Sequence, residues 1–326
     1  IGVSLGGMTT AAYLSKYFKR ITIIELDDVL NDTLIRRQLG RSGVSQIYQI
    51  HILEGEGFVI LNELFPHLKD KLLNDYGGRS YSLKDEARLV SNGTLLHKNL
   101  TKNLEWFGID RFTLETVLRK ELCSQFGNQI EWKCNARVVQ LIVDQSANTV
   151  QGVKYRLKEN VGSSLLDVYG DFIIDCTGRN TSSIKWLKDN FNLIVPTIQM
   201  HFGCGYVTFI GERFKVGDLS LDSKLIICSS PNTPHNNTGC YILPIREIKT
   251  NDENSLGILL TIALHCVNSE YAPNDSYENI LEWAKENLES EYYTVLKSTK
   301  VCSPLIPYRR AIDDRKYVEL LDKKWP

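Results

Sequence analysis

Apolar residues recur at helical spacing from Met8 to Phe18 (Met8, Ala11, Ala12, Leu14, Phe18), directly after the glycine-bearing segment Gly2-Val-Ser-Leu-Gly-Gly7. The β-branched run Arg20-Ile-Thr-Ile-Ile-Glu25 follows and closes on an acid. Turn, helix and strand in this order open a βαβ unit. Asp27 to Ser45 is polar, carries Gly40, Gly43, Arg36, Arg37 and Arg41, and reads as a long loop. Ile47 to Leu73 has helical periodicity, broken by Pro66 after Phe65. Thr113 to Phe126 predicts a helix with Thr113 as N-cap and Leu114, Val117, Leu118 and Leu122 as its apolar stripe. Strands are predicted over Ile130 to Cys134, Ala136 to Asp144 and Thr149 to Leu157, the last two joined by the polar turn Gln145 to Asn148. Gly170 to Asp175 reads as a further buried strand.

From Val195 to Ile312 the pattern predicts short strands and loops, with one helix over Ser276 to Leu288. The most apolar stretch, Leu256 to Val267, falls short of the ~20 residues of a membrane span and carries Thr261 and His265. It reads as a buried strand. No internal repeat interrupts the chain. The fold class implied is α/β, or more closely α+β in two domains. Residues 1–80 and 105–190 would form a discontinuous Rossmann-like nucleotide domain. Residues 81–104 and 191–312 would form a β-sheet substrate domain, and 313–326 would return to the first.

Composition narrows the partners. Among 326 residues, 38 Lys+Arg balance 39 Asp+Glu, 43% are hydrophobic and 24% charged. A nucleic-acid protein normally carries a basic excess, so a small-molecule partner is expected and nucleic acid is not. No transmembrane span is predicted, peripheral membrane contact stays open, and the compartment expected is the cytoplasm. The eight cysteines include no CxxC pair, so reduced, mostly buried thiols are expected and a metal site is not. The six histidines (His51, His67, His97, His201, His235, His265) show no HxxxH or HxH pairing and read as packing or surface residues. No Gly-x-Ser-x-Gly elbow supports a serine hydrolase.

Three constellations carry chemistry. In Gly2-x-Ser4-x-x-Gly7, a tight turn would let backbone N–H groups approach a pyrophosphate at a helix N-terminus. Glu25 lies eighteen residues beyond Gly7, near the spacing at which a carboxylate accepts from ribose hydroxyls. Ser4 stands where the middle glycine is usual. The second constellation is Arg111-Phe-Thr-Leu-Glu-Thr-Val-Leu-Arg119, whose first Arg can present a planar fork to a phosphate or polyol chain. The third is Gly170-Asp-Phe-Ile-Ile-Asp175-Cys-Thr-Gly178-Arg, which places small residues where backbone must approach something closely.

Together these segments resemble the flavoprotein monooxygenases, relatives of the aromatic hydroxylases and polyprenyl-methoxyphenol hydroxylase-like proteins. Arg41-Ser-Gly43-Val44-Ser-Gln46 and His51 resemble a GVPQ-and-histidine element of one subset, without its prolines and first histidine. Asn237 to Pro244, the Ser276 to Leu288 helix and Pro307-Tyr308-Arg-Arg-Ala follow in the family's order. A flavin halogenase would be expected to show Trp-x-Trp-x-Ile-Pro, and the five tryptophans lie far apart.

The resemblance implies FAD, with Gly2, Ser4, Gly6 and Gly7 at the pyrophosphate and Glu25 at the adenosine ribose. It further implies Arg41 and Arg111 near the flavin chain, and Asp175 with Gly178 beneath the adenosine side. The second half would roof a substrate cavity over the flavin. It implies a monooxygenase of apolar or aromatic small molecules, with NAD(P)H as a transient electron donor and no second dinucleotide fold to hold it. No catalytic residue is singled out, because the cofactor carries the chemistry. Two alternatives stand beside it: a flavin-dependent reductase or dehydrogenase of a lipid-like substrate, and a truncated, non-catalytic paralogue. The chain opens on Ile1 with no strand before Gly2, and it ends at Trp325-Pro326 before the family's Gly-Asp motif. It is therefore read as a fragment, expected alone to bind FAD weakly or not at all.

Overall fold

The structure, a computed structural model, describes residues 1–31, 41, 44, 46–97, 104–158 and 164–316. Most of the loop expected between Asp27 and Ser45, and the segment 317–326, lie outside the described residues. In chain order run α1 (Leu5–Leu14), β1 (Ile21–Ile24), β2 (Leu53–Glu54), α2 (Gly55–Leu64), α3 (Leu68–Tyr76), β3 (Arg79–Ser82), β4 (Ala87–Ser91), β5 (Thr94–Leu95), β6 (Glu105–Gly108), α4 (Arg111–Phe126), β7 (Ile130–Lys133), β8 (Ala136–Asp144), β9 (Thr149–Leu157) and β10 (Leu166–Tyr169). Then come α5 (Ser183–Phe191), β11 (Thr197–Phe214), β12 (Ile226–Ser229), β13 (Thr238–Glu247), β14 (Ser255–Cys266), α6 (Tyr277–Asn287), α7 (Ser290–Lys297), β15 (Thr299–Val301) and β16 (Ile306–Lys316). No helix among the described residues is long and apolar enough to cross a membrane.

Two compact units emerge. The first comprises the described residues of 1–45, 115–199 and 314–326, the second those of 46–114 and 200–313. This division differs from the boundaries drawn on the sequence, which gave 46–80 and 105–114 to the nucleotide domain. The reason is backbone pairing: β6 bonds β2 on one side and β3 on the other, which ties these stretches into one small sheet.

In the first unit, β1 lies parallel to β7 from Ile21↔Ile130 to Ile24↔Lys133. The strand β8 turns tightly into β9, and β10 extends the pair into a three-stranded antiparallel sheet. Asp144 closes that turn by accepting from the N–H groups of Ser146 (2.9 Å) and Ala147 (3.1 Å), and Asn148 takes the left-handed conformation it tolerates. Ile24, Ala136, Val153 and Tyr155 form a core, while α1 buries Met8, Ala11 and Ala12.

In the second unit, the strand order is β15-β11-β14-β13-β12-β4-β5, with β16 also pairing β11. One face packs Val207, Phe209, Ile262 and Leu264 against Ile280, Ala284, Tyr292 and Leu296 of α6 and α7.

Three predicted elements differ from what forms. The strand expected over Gly170 to Asp175 joins no ladder among the described residues: Gly170 N–H donates to the Gln151 carbonyl (3.1 Å), and farther along only Ile1 bonds it, donating to the Ile174 carbonyl (2.8 Å) and accepting from Cys176 N–H (2.7 Å). One residue makes no ladder. The helix expected from Thr113 starts at Arg111, because Asp110 is the cap: its carboxylate accepts from Thr113 N–H and Thr113 hydroxyl, both at 2.7 Å. Finally, β11 runs 18 residues where short strands were expected, whereas β14 forms as the buried strand expected over Leu256 to Val267. Much of β14 is buried on both faces, which erases the period-two alternation that marks a half-exposed strand.

Candidate functional site

The glycine turn forms where β1 and α1 meet. Gly2 has φ of +84°, and a Cβ there would sit 2.9 Å from the Cys176 carbonyl oxygen. A Cβ on Gly7 would lie 2.0 Å from the Gly2 oxygen, so both positions exclude any side chain. Gly6 differs: nothing lies within 4 Å of its Cβ position. The turn is thus closed toward the protein at Gly2 and Gly7 and open at Gly6. Ser4 sits at the N-cap of α1 without capping it, and no acid occupies the first turn. The helix therefore begins without a side-chain acceptor for its first amides, the arrangement that suits an anion.

Glu25 lies at the end of β1 and is 4% exposed. One carboxylate oxygen accepts from Val3 N–H (2.7 Å), inside the glycine turn, and the other from Asp27 N–H (3.0 Å). Arg41 reaches the same carboxylate at 3.0 Å, Asp27 at 3.4 Å, and Glu115 through a close ion pair. It also donates to the Val3 carbonyl (3.1 Å). Burial pulls the Arg41 pKa down, but Glu115, Glu25 and Asp27 pull it up by more, so the guanidinium stays protonated and above its ordinary value.

Glu115 was not among the residues predicted. Its carboxylate, buried within the first unit, also accepts from the Ser4 hydroxyl at 3.0 Å. The signal was present: Glu115 follows Arg111 by one helical turn in the motif already singled out. Lys158 adds a second cation by approaching Asp27 at 3.3 Å, so three carboxylates face two cations.

Asp175 and Gly178 lie beside this turn, since the Gly2 backbone packs against Cys176 and Thr177. Asp175 binds its own loop. It accepts from Thr177 N–H (2.8 Å) and from the hydroxyls of Thr177, Thr181 and Ser183. Burial raises its pKa, and those hydroxyl and N–H donors outweigh burial, leaving the carboxyl below its ordinary range. Its geometry is that of a loop staple. Gly178 adopts φ of +69° with open space around it, where only glycine is unstrained.

The structure therefore brings Gly2, Ser4, Gly6, Gly7, Glu25, Arg41, Asp175 and Gly178 into one unit. Arg111 belongs to the other, at the start of α4, beside His51. Burial, with the Arg111 charge, holds His51 below its ordinary pKa. Of the Arg41 to Gln46 segment, Arg41, Val44 and Gln46 are described, and the rest lies outside the described residues.

A cavity of about 450 Å³ opens elsewhere on the first unit, between β1, residues 168–174 and the flank of α1. It shares Gly2 and Gly7 with the turn, but Ser4, Gly6, Glu25 and Arg41 do not line it. Aliphatic side chains such as Ile21, Ile23 and Ile173 are among its lining residues.

No family model matches the chain. Protein Rv3254 of Mycobacterium tuberculosis is 23% identical over 262 residues, covering 74% of this chain and 50% of that protein. The chain thus spans about half the length of the curated relative it matches. Among solved structures, the flavin-dependent brominase Bmp2 superposes with a TM-score of 0.61 at 13% identity, over 97% of this chain and 67% of that one. PqsL of Pseudomonas aeruginosa, described as a probable FAD-dependent monooxygenase and also solved with 2-aminobenzoylacetate, superposes with a TM-score of 0.56 at 12% identity, over 92% and 71%. Likeness at this identity establishes the fold: the chain has the two-domain α/β architecture of flavin-dependent monooxygenases and halogenases.

Proposed function

We propose that this chain binds FAD at the Gly2–Gly7 turn and serves an FAD-dependent oxidoreductase. The reaction that fits best is an NAD(P)H-dependent monooxygenation of an apolar or aromatic small molecule. The observation that carries the reading is the turn itself. Gly6 stands in open space, α1 starts without a side-chain cap, and Glu25 holds Val3 N–H in a turn closed by Gly2 and Gly7. Gly2, Ser4, Gly6 and Gly7 would hold the pyrophosphate. Glu25 would take the ribose, Arg41 and Arg111 the flavin chain, and Asp175 with Gly178 would shape the adenosine side. When bound, FAD would supply the electron transfer between a nicotinamide donor, oxygen and the substrate. The fold shared with Bmp2 and PqsL supports FAD, and the PqsL complex supports an aromatic substrate.

A second reading, a folded relative that binds no flavin, is favoured by one observation. The Arg41 guanidinium is shared among Glu25, Asp27 and Glu115, and Ser4 is turned to Glu115, so a phosphate would have to displace carboxylates. The colour of the purified full-length protein separates the two. A flavin absorption band in the visible, restored by FAD after stripping, is the expected result. Colourless protein that takes up no FAD would overturn the proposal.

A further inference from the structure

The strand β1 has a neighbour on one edge, β7. Parallel pairing alternates along a strand. Ile21 and Glu25 donate toward β7, to the carbonyls of Gln129 (2.8 Å) and Lys133 (2.9 Å), so Thr22 and Ile24 turn their N–H and C=O groups to the other edge. The cavity of about 450 Å³ is lined by this stretch of β1 and by residues 168–174. Among the described residues, the Ile24 carbonyl takes Gly2 N–H (2.9 Å), and neither Thr22 nor Ile24 N–H meets a backbone partner toward the cavity. The same is true of Phe172 and of Ile174 N–H. Two stretches of backbone thus line one cavity with their hydrogen-bonding groups open, although parallel strands are ordinarily paired and covered.

Ile1 shows what fits between them. Its amino group donates to the Ile174 carbonyl (2.8 Å) and its carbonyl accepts from Cys176 N–H (2.7 Å), while Gly2 N–H bonds on the β1 side. Successive residues that bond to alternate sides in this pattern are the mark of the middle strand of a parallel sheet. The register extends backward from there. A residue before Ile1 would donate to the Thr22 carbonyl and accept from Ile24 N–H. The one before it would do the same with Phe172 and Ile174, and two more would reach the N–H groups of Thr22 and Phe172. The Ile1 ammonium is itself drawn out of water: burial lowers its pKa, against the raising pull of Cys176, Asp175 and Glu25. An acyl chain or a ring fills apolar volume but answers none of these backbone groups, which an extended peptide does. A strand from a separate molecule would end against the ammonium. One joined to Ile1 turns that ammonium into an amide whose N–H keeps the bond to Ile174.

We propose that this cavity receives an extended peptide segment of about four residues, joined to Ile1 and parallel to β1, which draws β1 and residues 172–175 into one sheet. The proposal does not rest on the flavin reading. Ala11 and Leu14 of α1 line the cavity together with Val153 and Val168, so the segment is apolar at every position rather than alternating. Val-Ile-Val-Val placed before Ile1 tests this, with Ser-Gly-Ser-Gly as the control of equal length. Amide hydrogen exchange is followed by mass spectrometry over residues 20–25 and 170–176. The apolar segment slows it at least about tenfold in both stretches, and the control leaves it unchanged. The same apolar sequence as a separate equimolar peptide leaves it unchanged too, because linkage supplies the local concentration. Since an apolar extension can aggregate, acetylation of the Ile1 amine in the unextended chain gives a second reading. The acetyl oxygen stands where the preceding carbonyl would, and exchange of the Ile24 amide, read by NMR, slows by about tenfold. Equal exchange in the two extended chains, or Ile24 exchange untouched by acetylation, overturns the proposal. Equal protection by the separate peptide overturns the link to Ile1.

Discussion

The glycine turn of the first unit and a row of rings in the second, Tyr308, Tyr206, His265 and Tyr241, both withhold polar groups from water, by opposite means. At the turn, charge answers charge: Arg41 meets three carboxylates, and Asp175 is encircled by hydroxyls and an N–H. These side chains take their partners from the protein, while the first amides of α1 have no side-chain acceptor. In the row, neutral rings lie side by side, half open, with one imidazole nitrogen left over. A charged network ties each side chain to a partner, and a neutral one holds its rings by packing.

Three perturbations sharpen or break that contrast. The largest effect is expected at Gly7→Val, whose side chain would collide with the Gly2 oxygen. A loss of at least about 3 kcal/mol in thermal unfolding is expected, against overpacking costs of this order. A Tyr206→Phe exchange, which keeps the row's rings, should cost far less by the same measurement. Equal losses would end the contrast between a closed turn and an open row.

The second perturbation is acid. Burial holds His265 at a pKa of about 4, against 6.5 for the free side chain. The unfolded chain takes that proton below pH 6.5 and the folded one refuses it until about pH 4. Stability should therefore fall as pH drops through this window, by at most about 3 kcal/mol, and be unaffected above it. Urea unfolding at pH 7 and pH 4 should show a smaller loss in His265→Phe. Asp175 answers in a different range: its carboxyl is held below the ordinary 3.8, so its contribution is present above that value and is lost only lower. A pH 7 to pH 4 loss that is the same with and without His265 would refute the neutral imidazole.

The smallest effect is expected at Glu115→Gln. Removing one of three carboxylates beside Arg41 should raise the affinity for FAD by about tenfold, or about 1.4 kcal/mol, in flavin fluorescence quenching. Unchanged affinity would place Glu115 outside the field of the phosphates.

Much of the first unit was legible in the sequence because its signals are local. The spacing of Met8, Ala11 and Ala12, the β-branched run before Glu25, and the paired strands around Gln145 to Asn148 each depend on neighbours a few residues away. The second unit was less legible. The buried strand expected over Leu256 to Val267 forms as β14, but β11 runs 18 residues because strands on either side hold it. Asp110 in place of Thr113 as the cap was a shift of three residues between two residue types that both cap well.

Sequence alone determined that a glycine turn, a helix, a strand and an acid follow one another, and that no charge excess or metal pattern points elsewhere. Only the tertiary structure decided which carboxylates surround Arg41, since Glu25 with Asp27, Arg41 and Glu115 lie on three separate stretches. The same holds for Tyr206, Tyr241, His265 and Tyr308, separated in sequence and aligned solely by strand register. Periodicity reports what a residue's near neighbours require. Convergence of distant side chains depends on how strands pair and which face is buried, and no single stretch of the chain encodes that.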